Sequence, residues 1–379
     1  MKIKRFLTII IAIMFIFTGI STCNASVLQI KKIKDNSDQN IKPSSSENIY
    51  VDDDADSGWY DSTHVRTIQE SIQNSSGYND IYVYNGTYYE NVVISKKVTL
   101  YGENRNNTII DGNAKASPIN ILVDGVKIDG FTIKNSRKKI LDLSGSSGIF
   151  INSNYNIISN NTITENIKGI YFNECNNNTI ENNYFVKNRV RIIILFGEGI
   201  SIIYSKNNVI RKNTFKDNIQ GIALTGSENN NITENIFEGN RIGVYASGSN
   251  YNTIHRNTIK KCGNGIFLTD SLNTKTSSKK NVIKRNLLTL NRIGIFTTGA
   301  ADNTITENNF ILNIKNAKFM IENFTHLTNK YSKNYWNRPR IMPKVIFGFK
   351  LMQIPFIPKI FRIPLINIDW HPAIKPYEI

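Results

Sequence analysis

A unit built around asparagine recurs about every 22 residues between positions 148 and 313. Each unit carries one asparagine and, five positions later, a second polar residue. The first asparagines are Asn161, Asn183, Asn213, Asn235, Asn257, Asn286 and Asn308, and the second positions hold Asn166, Asn188, Asn218, Asn240, Cys262, Asn291 and Asn313. A fixed period of this length predicts a solenoid, because one unit cannot bury its apolar face alone and must stack on its neighbours.

The apolar residues indicate which solenoid this is. In the unit of Asn183, Ile180 lies three residues before the asparagine and Phe185 lies two residues after it. In the next unit, Ile222 and Leu224 follow a glycine, with one residue between them. Such short period-2 runs, rich in β-branched and aromatic residues, predict three strands per unit. We therefore expect an all-β fold, a right-handed parallel β-helix with three strands in each rung of about 22 residues. A leucine-rich repeat is disfavoured, because neither its L-x-x-L-x-L spacing nor a helical return segment is present.

The asparagines have a structural explanation in such a fold. An asparagine at a corner tolerates left-handed backbone angles, and stacked asparagines can form an amide ladder. Two units are longer than the others, through extra residues 189–196 and 273–279. Insertions in solenoids often gather on the binding face, so both segments are candidates for function, with neutral surface loops as the alternative.

Outside the repeat, the chain divides into segments of different composition. Residues 1–25 combine basic residues, an apolar run and small residues, which is the pattern of a secretory signal peptide. We therefore predict an extracellular or cell-surface protein, and we rank lipid attachment at Cys23 second, because Thr22 precedes it. The predicted segments are the signal peptide (1–25), a linker (26–47), an N-terminal segment with a capping helix (48–94), the β-helix (95–337) and a Pro-rich tail (338–379).

The N-terminal end of the solenoid needs a cap, because an unpaired apolar rung is otherwise exposed. Thr67 and Glu70 have the spacing of a capping box and precede a short apolar face at Ile68 and Ile72. This pattern predicts a short helix that covers the open end.

The C-terminal end needs a cover for the same reason. Residues 338–379 hold seven of the nine prolines, and Trp336 and Trp370 are expected to pack in the cover. The prolines would break any membrane-spanning helix in this tail. Its basic residues allow peripheral membrane contact as an alternative role.

The charge balance indicates the kind of partner. The chain has a formal net charge of +16, or +13 without the predicted signal peptide. In an exported protein this favours an acidic polysaccharide or another anionic cell-surface polymer. Nucleic acid is not expected, because the basic residues are dispersed and no nucleic-acid module is present. The repeat places six of them in a basic strip, which we define as Arg211, Lys212, His255, Arg256, Lys284 and Arg285. An evenly solvated face is the alternative interpretation.

The acidic residues of the repeat are expected to face cations. The period places Glu181 beside Arg211 and Glu307 beside Arg285, which is typical of surface ion pairs rather than of a catalytic carboxylate pair. The densest acidic cluster consists of Asp52, Asp53, Asp54, Asp56 and Asp61. Such carboxylates can hold Ca²⁺ or solvate an edge strand.

Neither histidine nor cysteine predicts a site. The four histidines have no partner at metal-ligand spacing, so we predict no metal and no cofactor. Cys175 and Cys262 fall three rungs apart, which is too far for a disulfide, so we expect two free thiols.

The repeats SGIFINSNYNIISNNTITEN and QGIALTGSENNNITENIFEGN resemble those of NosD-type proteins, in the carbohydrate-binding and sugar-hydrolase group of β-helices with a pectin lyase-like fold. The resemblance covers residues 48–337 and implies the parallel β-helix. NosD-type proteins are associated with copper-site maturation, yet this sequence shows no His, Met and Cys set for copper.

Together these features predict an exported, non-catalytic β-helix protein that binds carbohydrate or another anionic surface polymer. One alternative is a polysaccharide-active lyase, hydrolase or esterase, with acids outside the regular strand such as Asp111, Asp129 or Asp142. The other is a NosD-like accessory protein for a copper site.

Overall fold

The structure is a computed structural model that describes residues 47–77, 79–137, 146–189, 197–271, 276–322, 328–353 and 360–379. The predicted signal peptide and all but the last residue of the predicted linker lie outside these ranges. Within them, the chain forms three long β-sheets, which we name A, B and C, and one α-helix.

Sheet A has 13 strands, sheet B has 11 and sheet C has 12. Sheet A consists of β1 (Ile49–Val51), β2 (His64–Val65), β3 (Asp80–Val83), β6 (Thr99–Gly102), β9 (Lys127–Asp129), β12 (Ile157–Ser159), β15 (Thr179–Glu181), β18 (Val209–Arg211), β21 (Asn231–Thr233), β24 (Thr253–His255), β27 (Val282–Lys284), β30 (Thr304–Thr306) and β33 (Lys330–Ser332). Sheet B consists of β4 (Gly86–Tyr88), β7 (Thr108–Asp111), β10 (Thr132–Lys134), β13 (Thr162–Thr164), β16 (Tyr184–Val186), β19 (Thr214–Lys216), β22 (Ile236–Glu238), β25 (Thr258–Lys260), β28 (Leu287–Thr289), β31 (Asn309–Ile311) and β34 (Tyr335–Trp336). Sheet C consists of β5 (Val92–Ile94), β8 (Ile119–Ile121), β11 (Ser147–Ile151), β14 (Lys168–Asn173), β17 (Glu198–Ile203), β20 (Gln220–Thr225), β23 (Ile242–Ser247), β26 (Asn264–Thr269), β29 (Ile293–Thr298), β32 (Lys315–Glu322), β35 (Lys344–Gln353) and β36 (Ile360–Asp369).

Successive rungs contribute one strand to each sheet, and each strand pairs in parallel with its counterpart one rung away. In the middle of the repeat, Ile180 pairs with Ile210 in sheet A and Phe185 pairs with Phe215 in sheet B. These side chains are fully buried, and the two phenylalanine rings stack with centroids 4.8 Å apart. The predicted three-strand parallel β-helix is confirmed. Its core is a set of apolar columns that run along the helix axis.

Buried asparagines form ladders at the corners, as predicted. Asn183 donates to Asn213 Oδ1 from its side-chain Nδ2 at 3.1 Å and from its backbone N at 2.9 Å. The same Nδ2 donates to Ile158 O at 2.8 Å, in the preceding rung. Because a buried amide without partners is costly, a column in which each amide bonds the next favours one rung spacing and one corner shape.

A third ladder precedes the strands of sheet A and is missing from the sequence-based prediction. Its members are Asn156, Asn178, Asn208, Asn230, Asn252, Asn281, Asn303 and Asn329. Left-handed backbone angles were predicted at the ladder asparagines themselves, but the structure has them at a different position. They belong to the residue before each ladder asparagine, such as Lys212 (φ 55°) and Arg256 (φ 53°). That residue makes the turn, so the asparagine that follows can direct its amide into the ladder.

The glycine of each unit is required by close packing between rungs. A Cβ on Gly221 would lie 2.6 Å from Gly243 O in the next rung and 2.6 Å from the ring of Phe237. No side chain fits at these distances, so the position admits only glycine.

The N-terminal cap has the predicted form. Helix α1 (Ile68–Asn74) begins after Thr67, whose Oγ1 accepts a hydrogen bond from Glu70 N at 3.1 Å. Ile68 and Ile72 are buried, and the helix packs against β1, β2 and β5. A short 3₁₀ turn, Ser57–Trp59, lies in the same end of the molecule.

The Pro-rich tail covers the last rung as a β-hairpin. β36 pairs antiparallel with β35, which extends sheet C. Asp369 is buried and accepts hydrogen bonds from Asn334 N at 3.1 Å and Trp336 Nε1 at 2.9 Å, so it ends an asparagine ladder. Trp336 packs in the cap as predicted, but Trp370 is 63% exposed, and its predicted burial is wrong. The described part of the chain contains no helix with the length and apolarity to span a membrane.

Candidate functional site

A single row of side chains runs along the outer face of sheet A, and we call it the sheet A row. Strand pairing places its members next to one another in the order His64, Tyr50, Tyr82, Tyr101, Asp129, Ser159, Glu181, Arg211, Thr233, His255, Lys284, Thr306 and Ser332. Neighbours in the row are about 4.8 Å apart because they lie on adjacent parallel strands. Aromatic rings therefore occupy one end of this face, and charged side chains follow from Asp129 to Lys284.

The basic strip lies on the charged part of this face. Arg211, His255 and Lys284 belong to the sheet A row, and Lys212, Arg256 and Arg285 each follow one residue later, at the left-handed corner. The structure thus brings all six residues onto one side of the solenoid. Their role in binding remains a prediction.

Neighbouring acids neutralise half of the basic strip. Arg211 contacts Glu181 Oε2 at 2.6 Å. Glu307 contacts both Arg285 Nε, at 2.8 Å, and Lys284 Nζ, at 3.4 Å. These are the ion pairs that the repeat period predicts.

The rest of the basic strip has a different electrostatic state. Lys212 and Arg256 are exposed and form no salt bridge within the described ranges. Burial lowers the pKa of His255, and the neighbouring Arg256, Lys284 and Arg285 lower it further against the opposing charge of Glu234, which favours the neutral imidazole. Within the basic strip, Lys212 and Arg256 are therefore the two cations that no described salt bridge engages.

The aromatic end of the sheet A row forms a stack with an adjoining cavity. The Tyr50 and Tyr82 rings stack with centroids 5.7 Å apart, and Tyr82 and Tyr101 stack at 5.3 Å. These three rings, together with Tyr84 and Glu103, line a cavity of about 280 Å³. Tyr82 and Tyr84 each expose 37% of their surface. Along these strands, apolar side chains point into the core and aromatic side chains point outward. The rings therefore present a broad surface to solvent beside the Glu103 carboxylate.

Two further contacts hold this stack in place. Trp59 packs edge-on against His64 at 4.7 Å and against Tyr84 at 6.1 Å. At the other side, Lys127 Nζ lies 4.7 Å from the Tyr101 ring centre, a favourable cation–π distance. A signal for this site is visible in the sequence as tyrosines at period 2, but only strand pairing shows that the three rungs align.

An acidic cluster lies close to the aromatic end. Oxygen atoms of Asp52, Asp53 and Asp54 lie within 4.8 Å of one another, and this is the only group of three potential carboxylate, imidazole or thiol ligands in the described part of the chain. Burial raises the pKa of Asp52 and of Asp53, and the neighbouring carboxylate of Asp54 adds to the effect. Asp61 is bonded instead to Thr63 and His64. The cluster alone defines no site.

The acids considered for catalysis do not converge. Asp111 ends β7 in sheet B, where it is buried and accepts hydrogen bonds from Asn113 N and Asn135 Nδ2, both at 2.8 Å. Asp129 ends β9 in sheet A and accepts a hydrogen bond from Ser159 Oγ at 2.5 Å. The two carboxylates therefore belong to different faces, while Asp142 lies outside the described residues.

The predicted insertions adjoin sheet C. In the first segment, residues 190–196 lie outside the described ranges. In the second segment, residues 273–275 do so. In chain order the first segment precedes β17, and the second follows β26.

A buried polar cluster lies on the outer face of sheet C, and the sequence did not predict it. The Lys168 side chain is only 8% exposed, its Nζ lies 3.4 Å from Glu198 Oε2, and it donates to Ser201 Oγ at 3.3 Å. The same ammonium lies 4.3 Å from the Tyr171 ring centre. Burial, followed by the charge of Glu198, raises the pKa of Tyr171 to about 12. A buried lysine needs such partners, because an isolated buried charge is costly.

The fold places this protein in a known class. The family model described as "Right handed beta helix region" matches residues 19–241. This is more than half of the chain, so the protein belongs to the right-handed β-helix family. A second model, described as "Periplasmic copper-binding protein (NosD)", matches residues 193–349, which confirms the resemblance to NosD-type repeats.

Solved structures with a similar fold have low sequence identity. An alginate lyase from Paenibacillus sp. str. FPU-7 is 14% identical with a TM-score of 0.48, and the match covers 70% of this chain and 92% of that one. The A-module of the mannuronan C-5 epimerase AlgE6 from Azotobacter vinelandii is 14% identical with a TM-score of 0.47, covering 72% and 73%. A GH87 α-1,3-glucanase from Streptomyces thermodiastaticus strain HF3-3 is 13% identical with a TM-score of 0.48, covering 79% and 60%. A search of curated proteins gives no significant match.

Proposed function

We propose that this protein is an exported β-helix that binds an acidic polysaccharide along the outer face of sheet A. The observation that carries this proposal is the sheet A row itself. It starts in a tyrosine-lined cavity and passes Lys212 and Arg256, which form no salt bridge within the described ranges. Ligand sites are typically apolar and aromatic surfaces with a few placed polar groups, and the tyrosine-lined cavity at one end of this face has that composition.

The two ends of the row suit different parts of an acidic sugar polymer. The C–H face of a sugar ring can pack on the exposed tyrosine surface, while its hydroxyl groups bond to the phenols and to Glu103. Carboxylates further along the polymer can pair with Lys212 and Arg256. Because both contacts belong to one chain of ligand, their contributions reinforce each other.

The acids between the two ends do not oppose a polyanion strongly. Asp129 lies 3.8 Å from Lys127 Nζ, and Glu181 is paired with Arg211. These two carboxylates are thus compensated by a cation on their own or the next strand, whereas Glu234, at the corner between Lys212 and Arg256, forms no salt bridge within the described ranges.

Affinity electrophoresis of the secreted protein tests the proposal. Gels would contain polygalacturonate in one series and a neutral glucan in the other, at low and high salt. We expect retardation in the acidic gel that weakens with salt, because exposed charges are screened, and that is lost in the double variant Tyr82→Ala/Arg256→Ser. The control is Lys206→Gln, which removes an exposed lysine that is paired with Glu228 elsewhere on the surface. Equal retardation of wild type and the double variant would overturn the proposal.

Export is the second part of this proposal and rests on residues 1–25. We expect the mature protein outside the cell to begin after residue 25, which intact mass measurement of the secreted protein would show. A protein that keeps these residues and stays inside the cell would contradict this part alone.

A second candidate function is a polysaccharide-active enzyme, and one observation favours it. Lys168, Glu198 and Tyr171 form a buried cluster of groups that can exchange protons. The test is release of oligosaccharides from a panel of polymers. Activity in the wild type that is abolished in Lys168→Met and retained in Lys206→Gln would support an enzyme.

The described residues do not fit a copper-binding role. Within residues 193–349, the described histidine, cysteine and methionine residues are His255 on the outer face of sheet A, Cys262 buried between sheets B and C, Met320 on β32 of sheet C and Met342, which is exposed. Imidazole, thiolate and thioether ligands would need to converge on one point to select copper. These four groups lie on different parts of the solenoid.

A further inference from the structure

The last strands of sheet C diverge and leave a cleft at the C-terminal end of the β-helix. β35 pairs with β32 only from Phe319 and Gly348 onward. The preceding residues of both strands border a cavity of about 370 Å³, lined by Lys315 and Lys318 on β32 and by Lys344 on β35. Three lysines therefore share one cleft.

The charge of this cleft is not compensated by acids. Among the described residues that line it, none is acidic. Burial lowers the pKa of Lys318 and of Lys344, and in both cases the further causes are neighbouring cations. The cations near Lys318 are Lys315, Arg362 and Arg292. Those near Lys344 are Arg340 and Arg338. Crowded like charges of this kind favour an anion as their partner.

The carboxylate of Asp369 could neutralise these lysines, but it is already engaged in hydrogen bonds. Asp369 is buried and accepts hydrogen bonds from Asn334 and Trp336, so it belongs to the cap. Lys318 instead lies over aromatic rings, with Nζ 5.6 Å from the Phe296 centre and 4.9 Å from the Phe349 centre. The rings orient the ammonium but leave its charge in place.

Exposed apolar side chains border the same cleft. Ile314 and Phe347 line it, and they are 78% and 70% exposed. Ile366, which is 59% exposed, is the direct strand partner of Phe347 on β36. Large apolar side chains exposed together mark an interaction surface. We call Ile314, Phe347 and Ile366 the apolar rim.

We propose that the cleft and the apolar rim dock this protein on an anionic lipid membrane, with lipid phosphates at Lys315, Lys318 and Lys344 and the apolar rim in the headgroup region. Cations beside exposed apolar residues match such an interface in both charge and polarity. A hydrophilic sugar polymer would leave the apolar rim in water. The surface lies on sheet C and the hairpin, so it is separate from the sheet A row.

Vesicle co-sedimentation of the full secreted protein tests this inference. Phosphatidylcholine vesicles would be compared with vesicles that also contain phosphatidylglycerol. We expect binding to the anionic vesicles only, and a partition coefficient about 25-fold lower for Lys318→Gln/Lys344→Gln, at about five-fold for each basic residue. Phe347→Ser/Ile366→Ser should weaken binding to the same vesicles, because it removes apolar area from the interface.

Matched controls remove similar groups elsewhere. Lys330→Gln removes a lysine that is 74% exposed and paired with Asp302, and Val282→Ser removes an exposed apolar side chain of sheet A. Both should bind like wild type, and thermal unfolding checks that every variant is folded.

Equal binding of wild type and Lys318→Gln/Lys344→Gln overturns the inference, as does absence of binding to anionic vesicles. Binding of inorganic phosphate without vesicle binding also overturns it and assigns the cleft to a soluble anion. Polysaccharide retardation is measured in parallel, so failure of either proposal is seen separately.

Discussion

Tyr101 and Asp129 are direct strand partners on the outer face of sheet A. At this pair, the aromatic part of the sheet A row meets its charged part. Lys127 contacts both residues, at 4.7 Å from the Tyr101 ring centre and 3.8 Å from Asp129 Oδ2. One lysine thereby joins the two parts of the proposed binding face, and the predictions below separate their contributions.

Removal of one exposed ring should weaken sugar binding. Tyr82→Ala is expected to lower the affinity for an acidic oligosaccharide about five-fold, because an aromatic contact of this kind contributes about 1 kcal/mol. Isothermal titration would measure the change. Tyr155→Ala removes a tyrosine that is 62% exposed at another corner and should leave affinity unchanged. A similar loss in both variants would argue against a specific tyrosine site.

Substitution of two arginines of the basic strip should weaken polysaccharide binding to different extents. Arg211 is already paired with Glu181, whereas Arg256 has no salt bridge within the described ranges. Arg256→Ser should therefore reduce retardation in polygalacturonate more than Arg211→Ser does, and the difference should shrink at high salt.

The triple variant Arg211→Ser/Arg256→Ser/Arg285→Ser should lose salt-sensitive retention on an acidic polysaccharide column. Retention unchanged in this triple variant would rule out the basic strip.

A ladder asparagine should contribute more to stability than an exposed one. Asn213→Ala removes an amide that bonds Asn235 Oδ1 and Ile180 O and receives bonds from Asn183. We expect the free energy of unfolding in urea to fall by about 2 to 3 kcal/mol, because buried groups lose their partners. Asn231→Ala, on the exposed outer face of sheet A, should change it by less than about 0.5 kcal/mol.

The one break in a ladder offers a stabilising substitution. Cys262 stands in the column between Asn240 and Asn291, and its backbone N already donates to Asn291 Oδ1 at 2.8 Å. Cys262→Asn would complete the amide column, and we expect a gain of about 1 kcal/mol in the free energy of unfolding. Cys175→Asn is the matched control, because Cys175 precedes Ser205 in a column of small side chains. There the larger amide should destabilise by overpacking, and urea titration of both variants compares them directly.

Both thiols should react only after unfolding. Cys175 and Cys262 are buried and free, and burial raises the pKa of Cys262 to about 12, opposed only in part by hydrogen bonds from Asn240. An aromatic disulfide reagent should modify neither thiol in the native secreted protein and both in urea. Recovery of an intramolecular disulfide instead would contradict the rung assignment.

The raised pKa of Cys262 also predicts a pH dependence. In the folded state the thiol stays neutral, while in the unfolded chain it ionises near its ordinary value of 9.0. Its stabilising contribution is therefore complete below about pH 9 and is lost progressively as pH rises toward 12. Comparison of the pH dependence of unfolding for wild type and Cys262→Ala isolates this contribution, which should vanish in the variant.

Much of the fold was predictable because its determinants are local and repeated. Ile180, Asn183 and Phe185 each recur in the same position of successive units, so a period alone assigns them to strand, corner and core. The ion pair between Arg211 and Glu181 follows from the same period. The capping helix was predictable from Thr67 and Glu70, since a capping box is a local pattern.

The binding surfaces were less predictable because they join residues from irregular parts of the chain. Tyr50, Tyr82 and Tyr101 precede the regular repeat, and their alignment depends on the pairing of β1, β3 and β6. The partners of Lys168 are divided between β14 and β17, on either side of a long insertion. The lysines of the C-terminal cleft meet only because β35 diverges from β32.

The sequence by itself determined the rung, its three strands and the columns of apolar and amide side chains, because every unit repeats the same local chemistry. The tertiary structure alone decided which outer residues become neighbours, where left-handed corners place Lys212 and Arg256, and how the tail turns back as a hairpin. The physical reason is that inward side chains must fit a core that recurs in every rung, whereas outward side chains meet only through strand pairing between rungs.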